Sequence, residues 1–112
     1  MAANDRRSGI ERRRMPRAKV NLAIEWESHV GTKRGTMSDV SRDGCFILSS
    51  GSVSGGERVY LNVPQTDGTK VRLAAEVSES IFDIGFAAKF VGLTEPQRVF
   101  LERFVEMNLE KP

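Results

Sequence analysis

The sequence predicts a mainly β protein, a six-stranded antiparallel β-barrel followed by a C-terminal α-helix. Two observations carry this prediction. Six short segments have strand patterns, most of them alternating apolar and polar residues, and turn sequences separate them at intervals of about ten residues, a spacing typical of barrels. The final segment instead repeats its apolar residues with the period of a helix. Closing the six strands into a barrel would leave no exposed sheet edge.

The first three strands lie in the N-terminal half of the chain. Apolar residues occupy every second position from Val20 to Trp26, which is the pattern of a strand with one buried face. This phase puts Trp26 in the core or the barrel wall. The first three predicted strands are 20–27, about 34–39 and 45–48, with turns at 29–33 and 41–44 between them.

The last three strands follow a loop rich in serine and glycine at 49–56. Pro64 ends the fourth strand, and the next four residues, Gln65-Thr66-Asp67-Gly68, make a hairpin turn. Alternation then resumes, and in the sixth strand it puts four apolar residues on one face. These are Ile84, Phe86, Ala88 and Phe90. The last three predicted strands are 58–63, 71–77 and 84–90.

The C-terminal segment opens with the signals of a helix N-terminus. Thr94 is a capping residue, Gln97 follows it three positions later, and a proline lies in the first turn. Apolar residues then follow helical spacing, with charged residues opposite them. We expect an amphipathic helix that packs on the barrel. The predicted helix is about 95–108, and the barrel with its helix is 18–112.

The net charge of +2 hides a basic N-terminal arm. Residues 1–20 hold seven arginines or lysines and two acidic residues, a net charge of +5, whereas the rest of the chain has a net charge of −3. Residues 1–17 carry few apolar side chains, so we expect a flexible arm. Such an arm attracts phosphates, which leaves nucleic acid, a nucleotide, anionic lipid or an acidic protein as partners.

The chain lacks the residue groups that most enzymes need. One histidine and one cysteine, far apart in sequence, give neither a metal-ligand cluster nor a nucleophile–base pair. Cys45 lies in an apolar stretch and is expected to be buried. No apolar run approaches the ~20 residues that span a bilayer, and the charged N-terminus has no signal-peptide core. We therefore expect a cytoplasmic protein without membrane insertion, catalytic activity, metal or cofactor.

Two polar segments suit a phosphorylated guanine compound. The first is Arg12-Arg13-Arg14-Met15-Pro16-Arg17 and the second is Asp39-Val40-Ser41-Arg42-Asp43-Gly44. Guanidinium groups bind phosphate oxygens and the O6/N7 edge of guanine through paired hydrogen bonds. A carboxylate and a hydroxyl can bind the other guanine edge, and a glycine lets the backbone approach a ligand or take a positive φ. Asp-x-Ser at a turn is also common as a local cap.

The order of these segments resembles the PilZ domain family, which has Arg-x-x-x-Arg at the barrel entry and then Asp/Asn-x-Ser-x-x-Gly. Arg13 and Arg17 match the first motif, and Asp39, Ser41 and Gly44 match the second. The resemblance extends over nearly the whole chain, including the residues that lead into the terminal helix. One position differs, since many members have Gly-x-x-Phe in the late strand and this chain has Ala87-Ala88-Lys89-Phe90.

The resemblance implies a PilZ-like barrel of the split-barrel type that binds the bacterial second messenger cyclic di-GMP. Arg13 and Arg17 would clamp phosphate and the outer guanine edge, while Asp39 and Ser41 would contact a guanine from the barrel surface. Gly44 would permit the turn. Binding would order the arm against the barrel and create a surface for a downstream protein partner.

The resemblance also predicts the number of ligand molecules per chain, because Arg12 directly precedes the first motif. Family members with arginine at this place tend to bind two stacked ligand molecules, and members with an apolar residue tend to bind one. We therefore expect two molecules of cyclic di-GMP per chain, with Arg12 among the ligand-binding residues.

The sequence leaves two other interpretations open. The first is a small β-barrel that binds nucleic acid polymer through its basic arm. The chain has only eight aromatic residues, most of them on apolar faces, and its barrel is acidic by count, so no stacking platform for a polymer is evident. The second is a PilZ-like adaptor that has lost its ligand, against which the intact motif residues argue.

Overall fold

The fold class predicted from the alternating segments is confirmed. The computed structural model describes residues 16–109, so the expectations for a flexible arm and for Arg12 and Arg13 lie outside the described residues. Six strands form a closed antiparallel barrel, and one helix follows them. The elements are β1 Ala18–Ser28, β2 Gly31–Val40, β3 Gly44–Leu48, β4 Arg58–Pro64, β5 Lys70–Ile81, β6 Gly85–Phe90 and α1 Glu95–Leu109.

The barrel is not wound in simple sequence order. Its strands follow one another as β1-β2-β3-β6-β5-β4, and β4 pairs with β1 to close the circle. The chain leaves β3 at Leu48 and crosses to the other side of the barrel through residues 49–57 before β4 begins. As a result β6 lies beside β3. The second polar segment, at the end of β2 and the start of β3, therefore has the end of β6 as its neighbour.

The inward-facing residues of the strands fill the barrel. Trp26 is fully buried, and its ring packs edge-to-face on Phe86 with centroids 4.9 Å apart. Its indole N–H donates a hydrogen bond to Ser49 Oγ at 3.1 Å, which satisfies the ring's one polar group. Cys45 is also buried, and burial raises the pKa of its thiol to about 12. The predictions that Trp26 and Cys45 belong to the core are confirmed.

The β5–β6 hairpin departs from the sequence prediction. β5 extends to Ile81, four residues beyond Val77, the last alternating apolar residue. A register shift between Val77 and Glu79 breaks the alternation, and for this reason the sequence pattern ended the strand too early. The expectation that Ile84 shares the inward face with Phe86 is wrong. Ile84 precedes β6 at the hairpin turn, and the residue is 52% exposed. The β1–β2 hairpin is likewise longer than predicted, since β2 begins at Gly31.

The terminal helix is capped as its sequence predicts. The backbone N–H of Gln97 donates to Thr94 Oγ1, and the Gln97 side chain accepts from the backbone N–H of Thr94 at 2.8 Å. Leu101 and Val105 are buried against the barrel. Within residues 16–109 no helix is both long and apolar enough to cross a membrane.

Candidate ligand-binding site

Pairing of β1 with β2 brings the two polar segments together. Arg17 directly precedes β1, whose first residue, Ala18, pairs with Val40. Lys19 pairs with Asp39, so the end of β2 lies beside the entry of β1. The Arg17 guanidinium donates a hydrogen bond from Nη2 to Asp39 Oδ1 at 2.7 Å across 22 residues of sequence. Arg17 of the first segment and Asp39 of the second segment are thus in contact on the barrel surface.

The Arg17–Asp39 ion pair is accessible to a ligand. The side chains are 51% and 26% exposed. An exposed pair of this kind typically contributes about 0–1 kcal/mol to stability, so the fold does not depend on it. Arginine has five N–H donors and a carboxylate about four acceptor sites, so the pair has hydrogen-bonding capacity beyond its mutual contact. The two side chains can serve a ligand that offers both an anionic group and hydrogen-bond donors.

Ser41 lies beside this pair but faces the backbone of its own turn. The residue is buried, with only 1% of its surface exposed. The hydroxyl oxygen accepts from the backbone N–H groups of Asp43 and Gly44 at 3.1 and 3.3 Å, and the hydroxyl donates to the Gly44 carbonyl oxygen at 3.4 Å. In this structure Ser41 therefore holds the turn in shape, as the alternative of a local cap predicted.

Gly44 allows β3 and β6 to pack closely. The glycines with positive φ in the described chain are Gly31, Gly56, Gly68 and Gly92. Of the two roles that the sequence offered for Gly44, the positive φ is therefore wrong, and the approach of the backbone to a ligand stays a prediction. A Cβ atom at Gly44 would lie 2.3 Å from the carbonyl oxygen of Ala88. The absence of a side chain lets β3 approach β6 closely at the end of the β3–β6 ladder.

The arginine of the turn, Arg42, links it to the helix. Arg42 forms an ion pair with Glu102 of α1 at 3.5 Å, and the two side chains are about half exposed. On the opposite side of the barrel, Arg72 contacts Glu27 at 3.1 Å and lies over the Tyr60 ring at 4.0 Å. Both arginines are surface residues, and these partners orient them.

The sequence interpretation missed Phe46 as a residue of this surface. Cys45 and Ile47 are buried, so the intervening Phe46 points out of the barrel, where it is half-buried. Its register partner on β2 is Asp39, and its partner on β6 is Ala87. Residues 45–48 are all apolar, so the sequence indicated neither that Phe46 faces outward nor which residues of neighbouring strands it meets.

Comparison with known protein families identifies one match. The model of the PilZ domain matches residues 11–107, a span that includes both polar segments. No curated protein sequence matches the chain.

Solved structures share the fold at low sequence identity. The Bacillus subtilis inhibitor of motility, MotI/DgrA, gives a TM-score of 0.72 at 16% identity over 88% of this chain and 51% of that chain. The PilZ domain of CeSA from a cellulose-synthesizing bacterium gives 0.67 at 21% identity over 82% and 96%. The PilZ domain of YcgR from Escherichia coli, solved with c-di-GMP, gives 0.67 at 18% identity over 87% and 91%. This chain spans about half the length of MotI/DgrA.

Proposed function

This chain belongs to the PilZ domain family, and on that premise we propose that it is a non-enzymatic receptor for cyclic di-GMP. The observation that carries the proposal is the 2.7 Å contact between Arg17 and Asp39, which joins the arginine segment to the turn segment on an exposed surface. The solved structure of the YcgR PilZ domain with c-di-GMP supports the ligand class.

The chemistry of the pair fits one guanine and one phosphate of such a ligand. The Arg17 guanidinium can donate to phosphate oxygens or to the O6/N7 edge of guanine. Asp39 can accept from the N1–H and N2 amino groups on the other guanine edge. In this proposal Ser41 acts indirectly, since its hydrogen bonds hold the turn that carries Asp39.

The proposed role of the arm follows from its charge. Arg12 and Arg13 would reach the ligand from residues 1–17, and the bound ligand would fix the arm against the barrel. This step would give a downstream protein a surface that the free receptor does not present.

Isothermal titration calorimetry tests the proposed function directly. The purified chain should bind cyclic di-GMP in preference to GTP and to a short DNA oligomer, because two linked guanines and two phosphates match both polar segments. Equal or tighter binding of GTP would reject the proposal. Tighter binding of the oligomer would instead favour the nucleic-acid interpretation.

The number of ligands per chain should depend on Arg12. A second cyclic di-GMP brings two more phosphate charges and another guanine face, and an additional guanidinium can offset the charge and stack on the base. In the same titration, the wild type should saturate near two ligands per chain and Arg12→Leu near one. Arg6→Leu, which removes an equal charge elsewhere on the arm, is the matched control and should keep the wild-type value. A wild-type value of one that is unchanged in Arg12→Leu would contradict this prediction.

A further inference from the structure

The outward face of β3 carries an aromatic ring directly beside the candidate site. Phe46 pairs with Asp39 in the β2–β3 register, and directly opposed residues of antiparallel strands hold their Cβ atoms about 5 Å apart. Asp39 in turn contacts Arg17. A guanidinium, a carboxylate and an aromatic ring therefore follow one another along the barrel surface.

Phe46 has small neighbours at two adjacent positions. Its neighbour on β6 is Ala87, which contributes only a methyl group, and the preceding outward position on β3 is Gly44, which contributes no side chain. Trp26 packs edge-to-face on Phe86 and Phe100 stacks on Phe104, whereas among the described residues Phe46 has no aromatic partner. Phe46 thus places an aromatic ring without an aromatic neighbour on the outward face of β3.

These three groups match the three recognition features of one guanine base. The carboxylate suits the N1–H and N2 donors, the guanidinium suits O6 and N7, and an aromatic side chain suits the flat π face. We propose that Phe46 is the platform on which a guanine base of the ligand stacks. The proposal rests on the proposed function, and it adds a residue outside both polar segments to the binding site.

In this proposal Ala87, which occupies a position where many family members have glycine, borders the stacked base. Ala87 lies on the far side of Phe46 from Asp39, in the same outward row of register partners. A methyl group there borders the space beside the ring without filling it. A larger side chain at position 87 would occupy the space that a stacked base needs.

Calorimetry of Phe46→Leu tests the platform, because leucine keeps an apolar side chain and removes the π face. Loss of base–aromatic stacking should weaken cyclic di-GMP binding roughly ten-fold. Ala87→Leu should give a loss of similar size by blocking the space, without changing Phe46 itself. Tyr60→Leu is the matched control, since Tyr60 is a half-buried outward aromatic on β4, and it should bind as the wild type does.

Tryptophan fluorescence provides a readout that a merely structural role would not affect. In Phe46→Trp the new indole should be quenched when cyclic di-GMP stacks on it, whereas in Tyr60→Trp it should not respond. The native Trp26 is fully buried and contributes a constant background.

The outcomes separate this proposal from the proposed function. If the wild type does not bind cyclic di-GMP, both are rejected. If the wild type binds but Phe46→Leu and Ala87→Leu bind equally well and Phe46→Trp is not quenched, the platform is rejected and the receptor function stands. Selective weakening in the two variants, together with quenching at position 46 alone, supports the platform.

Discussion

An Asp39→Ala variant should bind cyclic di-GMP about ten- to a hundred-fold more weakly than the wild type. Loss of a hydrogen bond to a charged group costs about 1.5–3 kcal/mol, and alanine leaves the guanine donors without an acceptor. Because the Asp39 side chain is on the surface and its ion pair with Arg17 is exposed, thermal unfolding should change little. Calorimetric affinity and a melting curve on the same sample measure both effects.

Asp39→Asn is the matched control for this prediction. Asparagine keeps a carbonyl acceptor of the same shape and loses only the charge, and the resemblance to the family allows asparagine at this position. Its binding should therefore stay closer to the wild-type value than that of Asp39→Ala. Arg17→Ala, which removes the other half of the pair, should weaken binding by a similar factor. Wild-type affinity in Asp39→Ala would remove Asp39 from the site.

A Gly44→Ala variant should lose about 2–3 kcal/mol of unfolding free energy, which corresponds to a fall in Tm of roughly 10–20 °C. The new Cβ would lie 2.3 Å from the Ala88 carbonyl oxygen, so β3 and β6 would have to separate by about 1 Å. The backbone at the contact cannot give way as a flexible side chain would. Urea denaturation followed by the emission of Trp26, the only tryptophan in the chain, measures this loss.

Gly55→Ala controls for the general effect of replacing a glycine. Nothing lies within 4 Å of a Cβ atom at Gly55, and its φ is not positive, so the unfolding free energy should change by less than about 0.5 kcal/mol. If Gly44→Ala were as stable as Gly55→Ala, close strand packing would not explain the glycine. A normal stability with weakened cyclic di-GMP binding would assign Gly44 to the ligand instead.

The sequence by itself determined the features that depend on local patterns. Period-two alternation places Ile24 and Trp26 in the core, since the side chains of a strand alternate between its faces wherever the strand pairs. The helix start was equally local, because Thr94 and Gln97 cap each other within a single turn. The motif residues were recognisable for the same reason, as each lies at a fixed spacing within a short segment.

The tertiary structure decided what each of these residues contacts. Three features of the site depend on which strands pair and in which register. They are the contact of Arg17 with Asp39, the position of Phe46 beside Asp39, and the closeness of the Ala88 carbonyl oxygen to Gly44. Strand order and register are set by closure of the whole barrel and by irregularities such as the shift between Met37 and Asp39. Alternation gives the face of a residue but not its neighbours across strands, because cross-strand contacts join residues that are distant in sequence.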